Sequence, residues 1–182
     1  MSSVAKTAGS LLVISAIAAA ALGCVNSATE GKIAERALET KNNAMREVLP
    51  LADSFSEDIV PSSGGIITSY SEGTSGGSNA GYAFAVETRG FDAGLKLMVG
   101  IDGDGVISGV TVLSSNETPG LGARAQEVLS PQFAGKSGEL KLSKNGGEID
   151  AITGATITSN AVTSAVNDVQ TYYNDNLKGG KG

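Results

Sequence analysis

The first apolar feature of the chain is a run: residues 8–25 (AGSLLVISAIAAAALGCV) carry no charge over eighteen positions. As a helix rising 1.5 Å per residue it measures about 27 Å, close to the hydrocarbon thickness of a bilayer. Lys6 precedes the run, while Glu30 and Lys32 follow it without net positive charge. The positive-inside rule then places the N-terminus in the cytoplasm and the rest of the chain outside. A basic start, an apolar core and small residues before Asn26 also suit a cleaved signal peptide, and Leu22-Gly23-Cys24 suits the acylated start of a lipoprotein. Against these stand the length of the run and Ala21, where a lipoprotein usually has leucine. An uncleaved single-pass anchor over residues 1–27 is the expectation, and all three fates deliver the remainder to the same side.

Beyond the run the apolar positions become periodic. Ile33, Ala37, Leu38, Ala44, Met45 and Val48 recur at near-helical spacing up to Pro50, which predicts an amphipathic helix within a stalk over residues 28–60. Residues 61–65 (PSSGG) are turn-rich, and residues 71–79 (SEGTSGGSN) predict a mobile loop. Strand patterns follow at residues 82–88, 95–101 and 106–113, the last two joined by Asp102-Gly-Asp-Gly105, a hairpin turn. That turn is not a calcium loop, because Val106 stands where an oxygen ligand is required. A short helix at residues 123–129, stopped by Ser130-Pro131, and a strand at residues 140–142 come next. Val162, Ala165, Val166, Val169, Tyr172, Tyr173 and Leu177 then trace one stripe of a closing helix over residues 158–177. The pattern predicts an α+β domain at residues 61–182, with a central antiparallel sheet and packed helices, behind a single transmembrane helix.

Composition narrows the chemistry. The chain of 182 residues has no histidine and one cysteine, Cys24, so it builds no zinc site, iron–sulfur cluster or histidine-based triad of its own. Any redox chemistry has to come from an organic cofactor. A net charge of −6, with scattered basic residues, is the wrong field for nucleic acid.

The candidate chemistry lies between the last strand and the closing helix, in Asp150-Ala-Ile-Thr-Gly-Ala-Thr156. Physically it is a corner of small residues with hydroxyls at a helix start. One reading is a plain N-cap, with Thr156, Thr158 or Ser159 satisfying the free N–H groups of the first turn. Another notes that Gly154 and Ala155 admit a second molecule close to the backbone, while the positive helix end suits a phosphate. A second stretch, Glu117-Thr-Pro-Gly-Leu-Gly122, reads as a tight turn at Pro119 and Gly120 whose glycines admit a flat ring against Leu121.

These residues carry a resemblance. Asp-x-x-(Ser/Thr)-Gly-Ala-Thr resembles the flavinylation motif of the FMN-binding domain family, found in the C subunit of Na⁺-translocating NADH:quinone reductase and the G subunit of the Rnf ferredoxin:NAD⁺ oxidoreductase. In that family the last threonine carries FMN by a phosphodiester, placed there by a separate flavin transferase that uses FAD and Mg²⁺. The resemblance assigns the covalent FMN to Thr156, and enzyme recognition to Asp150, Thr153, Gly154 and Ala155. Residues 117–122 resemble the family's loop against the flavin, which assigns ring contacts to Glu117, Thr118, Gly120, Leu121 and Gly122. The short length and small stalk look more like the Rnf protein.

The resemblance implies a membrane-held electron carrier, partnered by the other subunits of an ion-translocating complex, that needs no catalytic acid, base or nucleophile of its own. Two rivals remain at this level. One is a flavinylated domain of another respiratory complex, either the NADH:quinone reductase type or an extracytoplasmic reductase. The other is an exported, colourless binding module whose corner is only a helix cap.

Overall fold

The computed structural model describes residues 2–62 and 65–179, with side chains from Val4 onward. Residues 63 and 64 of the expected turn at 61–65 lie outside the described residues. The chain divides into two compact units between Thr40 and Lys41.

The first unit is helical. It belongs to α1 (Ser2–Val48), which contains a stretch long and apolar enough to cross a membrane. Its large side chains, among them Leu11, Leu12, Ile14, Ile17 and Leu22, are exposed, as a lipid-facing helix requires. The amphipathic stripe expected at residues 33–48 is buried only at its end. Ile33, Ala37 and Leu38 are exposed, whereas Ala44, Met45 and Val48 are buried.

The second unit is a five-stranded antiparallel meander: β1 (Ser54–Phe55), β2 (Ile67–Ser75), β3 (Ser78–Arg89), β4 (Ala93–Asp102) and β5 (Ile107–Ser114), paired in that order. The strands expected at residues 82–88 and 95–101 fall within β3 and β4, and that expected at 106–113 matches β5 except at Val106, which belongs to the turn. At the β4–β5 hairpin Asp102 Oδ1 accepts the N–H groups of Asp104 and Val106 at 3.0 and 2.9 Å, and Gly105 takes the left-handed φ the turn needs. Residues 71–79 correct an expectation, because they form a hairpin of β2 and β3 in place of a mobile loop. Gly76 and Gly77, with φ of 56° and 83°, make a two-residue turn that matches strand twist. Polar pairs hold that hairpin: the Asn79 side chain donates to Glu72 at 2.7 Å, and Ser75 Oγ donates to Asp53 at 3.0 Å.

The short helix appears as α2 (Ala125–Val128), flanked by single 3₁₀ turns at Gly122–Arg124 and Ser130–Gln132. The strand expected at residues 140–142 is reduced to one bridge, Leu142 to Ile149. The closing helix, α3 (Thr156–Asn176), begins two residues earlier than the stripe suggests. It lays Val162, Ala165, Val166, Val169 and Tyr173 against Phe84, Val86, Leu97, Val99 and Ile101 on one face of the sheet. Alternation sends Ala83, Ala85 and Met98 to the other face, where Ala44, Met45 and Val48 of α1 cover them.

That second seat is made of glycine. Gly73 pairs with Gly81 and Gly100 with Gly109 across neighbouring strands, which bares the backbone under residues 48 and 49. A Cβ at Gly100 would overlap the Val48 carbonyl, and one at Gly109 would lie 3.1 Å from Val48 Cα. At Gly73 it would overlap Leu49 Cδ2, and at Gly81 it would lie 3.0 Å from Leu49 Cδ1. Val48 and Leu49 are 0% and 1% exposed, and the Ser108 hydroxyl donates to the Val48 carbonyl.

Gly100→Ala is therefore expected to lower the unfolding free energy by about 1–3 kcal/mol, since overpacking forces backbone shifts. Ser78→Ala at the exposed hairpin turn should stay within about 0.5 kcal/mol of the parent. Urea titration of the detergent-solubilised chain checks this, and equal midpoints for the two variants would show that the seat is not tight.

Candidate functional site

Residues 150–156 reach α3 through a corner fixed at each end. Gln132 clamps Asp150 by its backbone, accepting its N–H at 2.7 Å and donating to its carbonyl at 3.1 Å. Ile152 and Ala155 are buried, and Ala155 N–H returns to the Ile152 carbonyl at 3.0 Å. The Ser159 hydroxyl accepts from Ile152 N–H at 3.0 Å and donates to the Ala155 carbonyl at 2.9 Å, which locks the corner to the helix. Thr153 and Gly154 stand exposed at the tip, where Gly154 has a φ of 80°.

This geometry removes the N-cap reading. Ala155 sits at the cap position and α3 has no side-chain cap. Ser159 is spent on the corner, and the Thr158 hydroxyl donates to Glu117 at 2.8 Å. Among the described residues the Thr156 hydroxyl makes no hydrogen bond. The N–H groups of residues 156–158 precede the first internal helix bond, from Ser159 to Ala155, and so carry the positive end of the helix dipole without a partner from a side-chain cap.

Residues 117–122 form the turn their composition requires. Leu121 N–H bonds to the Thr118 carbonyl at 3.1 Å, with Pro119 in second place and Gly120, at φ 80°, in third, the arrangement of a type II turn. The turn brings Leu121 against the α3 corner, where its Cδ2 lies 3.1 Å from the position a Cβ on Gly154 would take. Two motifs separated by residues 123–149 in sequence thus face each other.

Between them lies a cleft of about 380 Å³. Glu117, Thr118, Leu121 and Gly122 line it from one side, and Gly154, Ala155 and Thr156 from the other. Three of the sequence-predicted residues lie outside that lining: Asp150 in the Gln132 clamp, Thr153 at the exposed tip, and Gly120 inside its turn. Phe91, Ile157 and Thr158 complete the wall; sequence reasoning named Thr158 only as a candidate helix cap and missed the other two. A signal existed for each. Phe91 is one of only four phenylalanines and follows the glycine that ends a strand, while Ile157 is an apolar residue outside the buried stripe of its helix.

The lining is suited to a flat, largely apolar molecule with an anionic end. Phe91, Leu121 and Ile157 remain 64%, 41% and 56% exposed, and the volume falls in the range of small-molecule sites, roughly 300–1,000 Å³. No lysine or arginine lines the cleft, so the uncapped start of α3 is the positive pole available to an anion there. These residues fit FMN, whose ring suits an apolar lining and whose phosphate suits an uncapped helix start.

Comparison with known proteins agrees with the geometry. Residues 90–171 match the FMN-binding domain, a span running from the β3–β4 turn into α3. The chain is 42% identical to the G subunit of the Na⁺-translocating ferredoxin:NAD⁺ oxidoreductase complex of Acetobacterium woodii, over 90% of this chain and 89% of that one. It is 35% identical to the G subunit of the ion-translocating oxidoreductase complex of Methanosarcina acetivorans, over 93% and 94%. The crystal structure of Shewanella oneidensis NqrC shares the fold, with a TM-score of 0.50 and 21% identity over 69% of this chain and 71% of that one. With such identity sustained over nearly the whole of both chains, the protein belongs to the family of G subunits of ion-translocating oxidoreductase complexes and holds an FMN-binding domain.

Proposed function

We propose that this chain is an electron-carrier subunit of a membrane-bound, ion-translocating ferredoxin:NAD⁺ oxidoreductase, and that it holds one FMN through a phosphodiester on Thr156 Oγ1. The observation that carries this reading is the unengaged Thr156 hydroxyl, at the uncapped start of α3, on the wall of a cleft that also receives residues 117–122.

Attachment is a group transfer. The Thr156 oxygen forms a bond to the flavin-side phosphorus of FAD, the pyrophosphate bond breaks, AMP leaves, and the hydroxyl proton passes to a base on the flavin transferase. An unactivated alcohol does not do this unaided, so the transferase and Mg²⁺ are required. Asp150 and Thr153 are exposed and stand apart from the cleft, which supports their being read by that enzyme. Gly154 and Ala155 keep the approach to Thr156 clear. Once in place, the phosphodiester retains one negative charge, which the N–H groups at the start of α3 stabilise.

Bound FMN supplies a carrier that takes up electrons one or two at a time. The chain's own residues position it: Leu121, Ile157 and Phe91 pack on the ring and exclude water, Thr118 offers a hydroxyl to its polar edge, and Gly120 and Gly122 let the loop approach. Residues 1–27 anchor the domain, and Lys6 before the apolar run supports an extracytoplasmic position. The covalent bond suits that side of the membrane, where lost FMN is not resupplied. The partners are the complex's other subunits, to which the relay hands electrons during outward transport of Na⁺ or H⁺.

Thr156→Val is expected to reduce in-gel flavin fluorescence of the denatured protein to background, while circular dichroism stays that of the parent. The parent's intact mass should exceed that of the polypeptide by FMN less one water, on the peptide bearing Thr156. Persistent fluorescence in the variant would place the bond on another hydroxyl.

Ser78→Cys in a Cys24→Ser background tests the side of the membrane. A membrane-impermeant maleimide should label it in intact cells, and labelling only after lysis would reverse the topology.

A further inference from the structure

Glu117 is 5% exposed, and both of its carboxylate oxygens are engaged by the protein. Oε1 accepts the Asp92 N–H from the β3–β4 turn at 3.1 Å, and Oε2 accepts the Thr158 hydroxyl from the first turn of α3 at 2.8 Å. Two glycines shape the slot around it. A Cβ on Gly90 would overlap Oε1 and lie 3.3 Å from Thr158 Cγ2. One on Gly122 would overlap Oε2 and lie 2.7 Å from Thr158 Oγ1.

Each residue that meets this carboxylate adjoins one of the exposed apolar residues of the cleft. Asp92 follows Phe91, Thr158 follows Ile157, and Gly122 follows Leu121. One buried side chain therefore joins the three segments that present the apolar wall. We propose that Glu117 is a positioning residue, which fixes the spacing of Phe91, Leu121 and Ile157 around the flavin and is not itself a ligand of the ring. This inference rests on the flavin reading above and refines the role given to Glu117 by resemblance.

The two possible roles, position and charge, separate by chemistry. Glutamine has the same length, and its amide oxygen accepts from Asp92 while its NH₂ donates to the Thr158 hydroxyl oxygen, so Glu117→Gln keeps both links without the charge. Alanine keeps neither.

The test uses the full chain in two forms. In flavin-free Thr156→Val protein, hydrogen exchange at the Asp92 amide should accelerate by about tenfold or more on adding Glu117→Ala, and by much less on adding Glu117→Gln. In the flavin-loaded chain, fluorescence anisotropy of the flavin should fall in Glu117→Ala and hold near the parent value in Glu117→Gln, with attachment on denaturing gels retained in both. If Glu117→Ala does not fold, Thr158→Val, which deletes one link at nearly constant volume, should lower the anisotropy, and Thr158→Ser should restore it. Parent-like exchange and anisotropy in Glu117→Ala would overturn the proposal. So would loss of anisotropy in Glu117→Gln equal to that in Glu117→Ala, or indistinguishable Thr158→Val and Thr158→Ser. A parent chain without covalent flavin would defeat the functional reading alone, since exchange in the flavin-free protein still decides the role of Glu117.

Discussion

A carboxylate removed from water must be given donors, or it costs several kcal/mol. Glu117 finds its donors 25 residues earlier, at Asp92, and 41 residues later, at Thr158. Those separations explain much of how the domain is tied together on the side of the cleft. The β3–β4 turn, the 117–122 loop and the start of α3 belong to different elements, and no backbone ladder joins all three. The carboxylate does so, in a slot where two missing side chains leave just enough room. That bond engages the Thr158 hydroxyl, the Ile152–Ala155 corner engages that of Ser159, and the cap position of α3 is held by Ala155, which has no side-chain acceptor. An uncapped helix start is ordinarily a small loss of stability. Here it leaves the positive end of α3 open beside the one hydroxyl of the group that remains unengaged.

The packing of α3 determines where that end points. Its apolar stripe, from Val162 to Tyr173, packs on the inner face of the sheet, and that packing sets where its first turn stands relative to the strands. A covalently held cofactor depends on this placement, because a tether alone limits loss but does not set orientation. On the proposed reading, labour divides within a few residues: Thr156 would tether, the helix dipole neutralise, and the flanking apolar side chains orient. Transfer of electrons at fixed distance needs all three.

How much of this was legible in the sequence depends on which physical signal each part carries. Strands β3, β4 and β5 bury one face or both and show it in their apolar residues, and the hairpin at Asp102 announces itself in aspartate and glycine. The motif at 150–156 and the loop at 117–122 were readable as turns whose residue types have few other uses. The hairpin of residues 71–79 was not, because its strands are held by side-chain hydrogen bonds of Ser75 and Asn79 and by backbone pairing, which leave no apolar alternation to read. Residues 140–142 look like a strand for the opposite reason: Leu140 and Leu142 are buried, yet they serve a loop that pairs only at Leu142. Phe91 offered only its scarcity and its place after a glycine, and nothing in the sequence indicates that the turn bearing it is drawn to Glu117. The same limit hid the fate of the hydroxyls at residues 158 and 159, whose partners are set by the tertiary fold.

The glycine seat beneath the end of α1 has a consequence for how this family can change over evolutionary time. At Gly73 the atoms that would meet a new Cβ are all side-chain atoms, of Leu49, Ala52 and Phe55. Trimming Leu49 removes the nearest of them and glycine at position 52 the next, at 2.9 Å, so position 73 is open to substitution coupled with positions 49 and 52. At Gly100 the space is occupied by the main chain of Val48, which no substitution can trim. Within one seat, therefore, the first glycine is exchangeable by covariation, whereas the second is exchangeable only if the path of the chain itself is redrawn.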